Sequence, residues 1–283
     1  YRAAVADFQS ALLLDPKYSK AALYLARTYN ALFDQANARR YFEKAIEIDP
    51  DFMEARASYA GMLLDVGDLD EAIRQLNLVT NRDKSNAMAW YLQAQAYCRK
   101  EIYADGIRSA NKAIDLTPEN GEAHFWLAEG QRMSGDYKGD IRSYQQYLRL
   151  SDFNSKLAGN LNYYVVGFLV GMGKKSRASQ QDIWKDLRSL AWFGICDSNR
   201  KLNQYGAAIE ACREALRYDS QDAFTHYVLG LSYAHQAVAN NDRQLCAPAI
   251  EQFETMLDLN PDLEEAAFAR KNIQSLQACV AKP

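Results

Sequence analysis

Apolar residues recur along this chain at intervals of three and four, in runs of about a dozen residues broken by short polar turns. That spacing lines one face of a helix and predicts a succession of short amphipathic helices. The stretch AALYLARTYNALF (residues 21–33) is one such run, and ARRYFEKAIEI (residues 38–48) is the next. Only six prolines occur, while alanine, leucine and tyrosine are abundant, a balance that favours helix throughout. The expected fold class is all-α.

The helices come in a repeating pair. Four of the six prolines are Pro16, Pro50, Pro118 and Pro261, separated by 34, 68 and 143 residues, the last being four periods of 34 plus seven. Three sit in near-identical phrases, LLLDPKY, IEIDPDF and LDLNPDL. Self-similarity at a fixed period signals a repeat architecture. Units of 34 begin near Ser19, Met53, Ala87, Gly121, Ser155, Ser189 and Ala223. The eighth position is always small where the pattern is regular: Ala26, Ala60, Ala94, Ala128, Cys196 and Gly230. Position 20 is usually small (Ala38, Ala72, Gly106, Ala208) and position 24 mostly large (Phe42, Leu76, Tyr144, Phe253). Small against large is what two closely crossing helices require.

This pattern resembles the tetratricopeptide repeat (TPR) family, over nearly the whole chain. The phrases AALYLARTYNALFDQANARRYFEKAIEIDP and AMAWYLQAQAYCRKEIYADGIRSANKAIDLTP match its motif of W/L/G/Y on a first helix and A/F/A/P on a second. The resemblance implies a right-handed superhelical α-solenoid of helix–turn–helix units with first helices lining a concave groove. On this register, residues 1–16 form a second helix alone and residues 17–154 four regular units. Residues 155–188 form a degenerate unit with a loop at 171–179, and 189–262 two further units, the last with an insertion near 236–247. Residues 263–283 form a C-terminal capping helix whose polar residues solvate the end of the stack.

The degenerate unit carries VGFLVGMGKKSRASQQDIW (residues 166–184), in which two of three apolar marks of a second helix, Lys174 and Gln181, are polar. A phosphate-binding loop needs G-x-x-x-x-G-K-[ST] after a strand. Here Phe168 stands at the first glycine and Lys175 after the lysine, so the motif fails twice. The apolar run from Leu161 to Met172 falls far short of the roughly 20 residues that span a bilayer, and no membrane span is expected. Lys174, Lys175 and Arg177 form a basic loop that reads first as solvated, the alternative being contact with an acidic partner or a phosphate headgroup. From Asp182 onward, DIWKDLRSLAWFGI predicts one long helix across the boundary at 188/189.

Charge and chemistry narrow the function. A formal net charge of −3 argues against nucleic acid as the main partner. Five scattered cysteines without a C-x-x-C pair read as buried free thiols rather than a disulfide framework or zinc site. Their odd number leans towards a cytoplasmic setting, although compartment stays open because the chain starts at Tyr1 as if its native N-terminus had been removed. His124 and His226 fall at unit position 4, where Trp90 and Trp192 stand in other units, so packing accounts for them. No metal site, cofactor or catalytic constellation is expected, and the chain reads as a non-enzyme.

What the resemblance offers instead is the groove, which positions 2, 5, 9, 12 and 13 of each first helix face. Position 5 supplies Tyr91, Phe125, Phe193 and Tyr227, and neighbouring positions supply Arg27, Arg99, Arg132, Arg200 and Lys201. Aromatics with arginines are the composition of binding hot spots, although such rings also pack between helices. The family's clamp for C-terminal carboxylates is missing, since its positions hold Leu23, Arg27, Ser58, Met88 and Leu92. The expected function is a protein–protein interaction scaffold that binds a peptide or protein segment. The alternatives are the helical arm of a larger enzyme or assembly apparatus, and self-association through exposed repeat ends.

Overall fold

The computed structural model describes residues 2–157 and 180–280. Among these residues there are fourteen α-helices, one short 3-10 turn (Arg243–Leu245) and no strand. In chain order the helices are α1 (Arg2–Leu14), α2 (Ser19–Ala31), α3 (Gln35–Ile48), α4 (Met53–Val66), α5 (Leu69–Arg82), α6 (Ala87–Arg99), α7 (Tyr103–Leu116) and α8 (Gly121–Met133). They continue as α9 (Tyr137–Leu157), α10 (Gln180–Lys201), α11 (Tyr205–Tyr218), α12 (Ala223–Asn240), α13 (Cys246–Leu259) and α14 (Ala266–Val280).

Three local devices make each helical hairpin. First, the turn between a unit's two helices bends at position 15 in five units, where Phe33, Gly67, Glu101, Gly135 and Asn203 all have positive φ (60° to 83°), and at Asn241 in the lengthened last unit. That left-handed residue ends the first helix and lets the chain reverse. Second, Asp34, Asn86 and Asn120 cap helix starts, accepting from the backbone N–H of Asn37, Ala89 and Ala123 at 2.9–3.1 Å. Third, the side chain at position 4 reaches back six residues to close the preceding turn. Arg56 donates to the Pro50 carbonyl at 2.8 Å, Trp90 to Lys84 at 3.0 Å, and the His124 and His226 rings meet Pro118 and Ser220 at 2.9 and 3.3 Å. Arginine, tryptophan and histidine alternate there because each carries an N–H at the right reach.

The chain divides into two compact units, with the boundary inside α8 between Trp126 and Leu127. In the first, α2 packs on α3, α4 on α5 and α6 on α7, and each pair packs on the next. Its core is continuous: Leu23, Leu25, Phe42, Met62, Leu63, Leu76 and Val79 are all essentially excluded from water. The small residues Ala26, Ala60, Ala38 and Ala72 are fully buried at the crossings.

In the second unit α10 packs directly on α9, α11 on α10, α12 on α11, α13 on α12 and α14 on α13. The α9–α10 contact is close: a side chain on Gly194 would drive into the Tyr144 ring, and Arg188 donates to the Ser151 carbonyl at 3.1 Å. Helix α10 thus takes the place of a next unit's first helix against α9, and it runs unbroken across position 188/189. Most of the expected degenerate unit, with the loop at 171–179 and its Lys174, Lys175 and Arg177, lies outside the described residues. The seven extra residues lengthen α12 and form the 3-10 turn before α13.

The cysteines differ from the sequence expectation. Cys196 and Cys212 form a disulfide, as do Cys246 and Cys279, with Cα atoms 5.1 and 6.4 Å apart; Cys98 is buried outside these two bridges. Scattered spacing concealed a geometric pairing. Cys196 occupies position 8 and Cys212 position 24, the small–large contact of every unit, so the helix crossing itself brings their sulfurs together. Disulfides form and persist in oxidising surroundings. The lean towards a cytoplasmic setting therefore loses its ground.

Candidate functional site

On the second unit, the first helices α10 and α12 present a run of partly exposed apolar side chains. Phe193 lies 5.5 Å from Phe224, Phe224 lies 6.0 Å from Tyr227, and Tyr227 lies 5.9 Å from Phe253 beneath it. Phe224 is 38% exposed and Leu190 39%, whereas Phe253 is fully buried. Leu190 and Phe224 were missed by the sequence analysis, although both stand at unit position 2, one of the positions that face the groove. Burial, with Glu265 nearby, raises the Tyr227 phenol above its ordinary value, so that ring is a neutral hydrogen-bonding partner at physiological pH.

Beside the rings lies a charged network. Arg132 on α8 pairs with Glu129 at 3.0 Å and approaches Asp197 on α10 at 4.0 Å. Asp197 accepts from Arg200 at 2.8 Å and from Lys201 at 3.0 Å. Burial alone would raise Asp197, but the Arg200 and Lys201 hydrogen bonds bring its carboxyl below the usual carboxylate range. The Tyr144 hydroxyl donates to Glu129 from below. Lys201 also sits 5.1 Å from the centre of the Tyr137 ring. The network holds its cations in place, and the Nε atoms of Arg132 and Arg200 are buried without a hydrogen-bond partner. His235 packs at a tilt against Tyr205, with ring centres 5.3 Å apart, and burial together with Arg200 lowers its pKa, which keeps it neutral.

Under this network Asp140 is fully buried at unit position 20, where Ala38, Ala72, Gly106 and Ala208 stand in other units. One carboxylate oxygen accepts from the buried Ser198 hydroxyl and the other has no partner. Burial pushes Asp140 up to about 7. No sequence rule used above flagged it, because a charged residue at a packing position is visible only against the aligned units.

The remaining expected groove residues belong to the first unit. Phe125 is 4% exposed and meets Trp126 edge-on at 5.4 Å, so its ring packs. Tyr91 packs partly against the core cluster. Arg27 pairs with Glu54 at 2.8 Å and donates to Ser58, and Arg99 donates to the Leu64 carbonyl at 2.7 Å. Arg99 faces Asp65, which burial pushes up to about 7 against the opposing pull of that guanidinium. Of the expected groove residues, Phe193, Tyr227, Arg132, Arg200 and Lys201 lie on the second unit and are at least partly exposed; on the first unit Tyr91, Arg27 and Arg99 are partly exposed too, and Phe125 is buried. Among the described residues no group of histidine, cysteine and carboxylate side chains could hold a metal ion, and no helix is long and apolar enough to cross a membrane.

Paired antiparallel helices, a small–large crossing in each pair and a left-handed residue at each reversal define an α-solenoid of helical hairpins. Models of the tetratricopeptide repeat match residues 1–52, 31–96, 99–155 and 191–222, together more than half of the chain, which belongs to that family. Tetratricopeptide repeat protein 37 of Xenopus laevis is 26% identical over 185 residues, a match covering 52% of this chain and 12% of that protein. The chain therefore spans about an eighth of the length of that relative. Among solved structures, the APC/C hetero-tetramer Cut9–Hcn1 contains a chain that aligns with a TM-score of 0.63 at 17% identity, covering 95% of this chain and 45% of that one. YrrB, a TPR protein with an unusual peptide-binding site, aligns with a TM-score of 0.58 at 20% identity, covering 81% and 97%. These likenesses establish the fold, and the fold supports a protein-interaction role in general.

Proposed function

We propose that this chain is a non-catalytic scaffold that takes a peptide or protein segment against the first-helix face of its second unit. The observation that carries this is the exposed apolar run Leu190, Phe193, Phe224 and Tyr227 beside the fixed cations Arg132, Arg200 and Lys201. Large rings with few torsions lose little entropy on binding, and arginines held by their own carboxylates are already positioned. Such a face suits a segment with an apolar side chain next to a carboxylate or backbone carbonyls.

The test is affinity capture from source-cell lysate followed by cross-linking to this face, comparing the native chain with a Phe193→Ala/Phe224→Ala variant. Circular dichroism first establishes that both are equally helical. A partner cross-linked to α10 or α12 and lost in the variant is the expected result. Equal capture by both proteins overturns the proposal.

A further inference from the structure

We propose that the Cys246–Cys279 disulfide is a redox-sensitive latch on helix α14, opened by a dithiol reductant while Cys196–Cys212 stays closed. The two bridges differ in surroundings. Cys196 and Cys212 are both fully excluded from water within the α10–α11 crossing. Cys246 is nearly buried at the first residue of α13, but Cys279 lies half-buried in the last turn of α14. An attacking thiolate must reach a sulfur atom, so access orders the two bonds.

What the bridge holds is equally specific. Among the described residues of α14 only Ala266, Ala269 and Leu276 are buried, two of them alanines, and Phe268 is largely exposed. So small an apolar contact gives the helix little hold of its own. The bridge ties the last turn of α14 to the first turn of α13, at the far end of the helix from Ala266 and Ala269. The insertion that interrupts the 34-residue period ends on Cys246, with its 3-10 turn touching α14. The insertion in this unit therefore delivers a cysteine to the last turn of α14.

Opening proceeds by exchange. A thiolate of the dithiol attacks Cys279 Sγ, the S–S bond breaks, and Cys246 leaves as a thiolate that takes up a proton. The reductant's second thiol then attacks the mixed disulfide, releasing Cys279, and the reductant leaves as its own cyclic disulfide. Two electrons and two protons pass to the protein. Helix α14 then keeps only its packing on α13, through the buried Ala266, Ala269 and Leu276 and the half-buried Ile273, and it frays from its last turn.

The full chain is titrated with dithiothreitol, free thiols are alkylated and located by mass spectrometry, and amide exchange is followed at each step. Cys246 and Cys279 are expected to become alkylated while Cys196 and Cys212 remain protected, with exchange in residues 266–280 faster by roughly tenfold or more and α10–α11 unchanged. A Cys246→Ser/Cys279→Ser variant is expected to show the same fast exchange without reductant and no further change on adding it. Simultaneous opening of both bridges, earlier opening of Cys196–Cys212, or unchanged protection of α14 after opening overturns the proposal. Should the variant not fold, the titration of the native chain decides alone.

Discussion

The first unit of the molecule and the second solve the same packing problem with different chemistry. In the first, position 8 meets position 24 as alanine against a large side chain: Ala26 with Phe42, Ala60 with Leu76, all fully buried. In the second, Ala128 meets Tyr144 in the same way, but the following pairs are a disulfide between Cys196 and Cys212 and then Gly230 under Phe253, where an added methyl would sit 2.9 Å from the ring. Position 20 is alanine or glycine throughout the first unit, whereas the second holds both the ordinary Ala208 and the exceptional Asp140, each fully buried. The helical hairpin thus tolerates any pair that fills the crossing, so departures from the motif mark where stability has been exchanged for covalent or polar contacts. The exposed aromatic run is on the same unit as those departures.

The largest expected effect breaks the first unit's version of the contact. Phe42→Ala leaves a void at a fully buried site and should cost about 3–5 kcal/mol in urea unfolding. The second unit's version is covalent, so it should respond to redox conditions as well as to substitution. Cys196→Ala/Cys212→Ala should cost roughly 3 kcal/mol, from the chain freedom regained in a short loop. Saturating dithiol should lower the native chain's midpoint and leave that variant's response confined to Cys246–Cys279. A Phe42→Ala chain should keep the full redox response. If the Cys196/Cys212 variant unfolds at the same urea concentration as the native chain, the bridge adds nothing that packing does not.

Next comes the buried carboxylate. Asp140 is pushed up to about 7 in the folded state, against about 4 in the unfolded chain. Between those values the folded state binds the extra proton, so this group makes stability fall as pH rises through the window from about 4 to 7, with the loss complete above it. Asp65 in the first unit, also pushed up to about 7, has the same sign. Asp140→Asn removes the charge and keeps an acceptor for Ser198, so it should stabilise the protein by about 1–3 kcal/mol at pH 8. It should also flatten its share of the slope between pH 4 and 7, while Asp65 keeps its own. An unchanged slope in the Asn variant would show that Asp140 reaches solvent in the folded state.

How much of this was legible in the sequence depends on whether a feature repeats. The 34-residue period, the small positions at Ala26 and Ala60 and the histidines at position 4 recur in several units, and recurrence exposes the constraint behind them. The long helix through 188/189 was also legible, since Leu187, Leu190 and Ala191 keep helical spacing without a proline. Features that depend on contacts between helices were read wrongly or not at all. Cys196 and Cys212 were taken for free thiols because linear spacing hides that positions 8 and 24 face each other. Phe125 and Tyr227 share position 5, yet one is buried and the other half-exposed, because exposure depends on the side chains of neighbouring helices rather than on the residue's own place in its unit.

The smallest expected effect concerns a device both units share, the left-handed residue at position 15. Gly67 and Gly135 take this conformation without a side chain to clash, but Phe33 and Glu101 hold φ of 60° and 63°. A left-handed conformation costs a residue with a Cβ about 1 kcal/mol, part of which glycine gives back through its freer unfolded chain. Glu101 is exposed and makes no side-chain hydrogen bond recorded in the structure, so Glu101→Gly should stabilise the α6–α7 turn by up to about 1 kcal/mol. Phe33 is 63% exposed, and Phe33→Gly should gain less, because its remaining contacts are lost with the ring. Gly67→Ala should reverse the sign, since it places a Cβ on the same backbone. Thermal melts of these three variants would separate the turn's backbone requirement from any role of the side chains. If Glu101→Gly were destabilising by as much as Gly67→Ala, the turn would be shaped by contacts of the Glu101 side chain instead of by its φ.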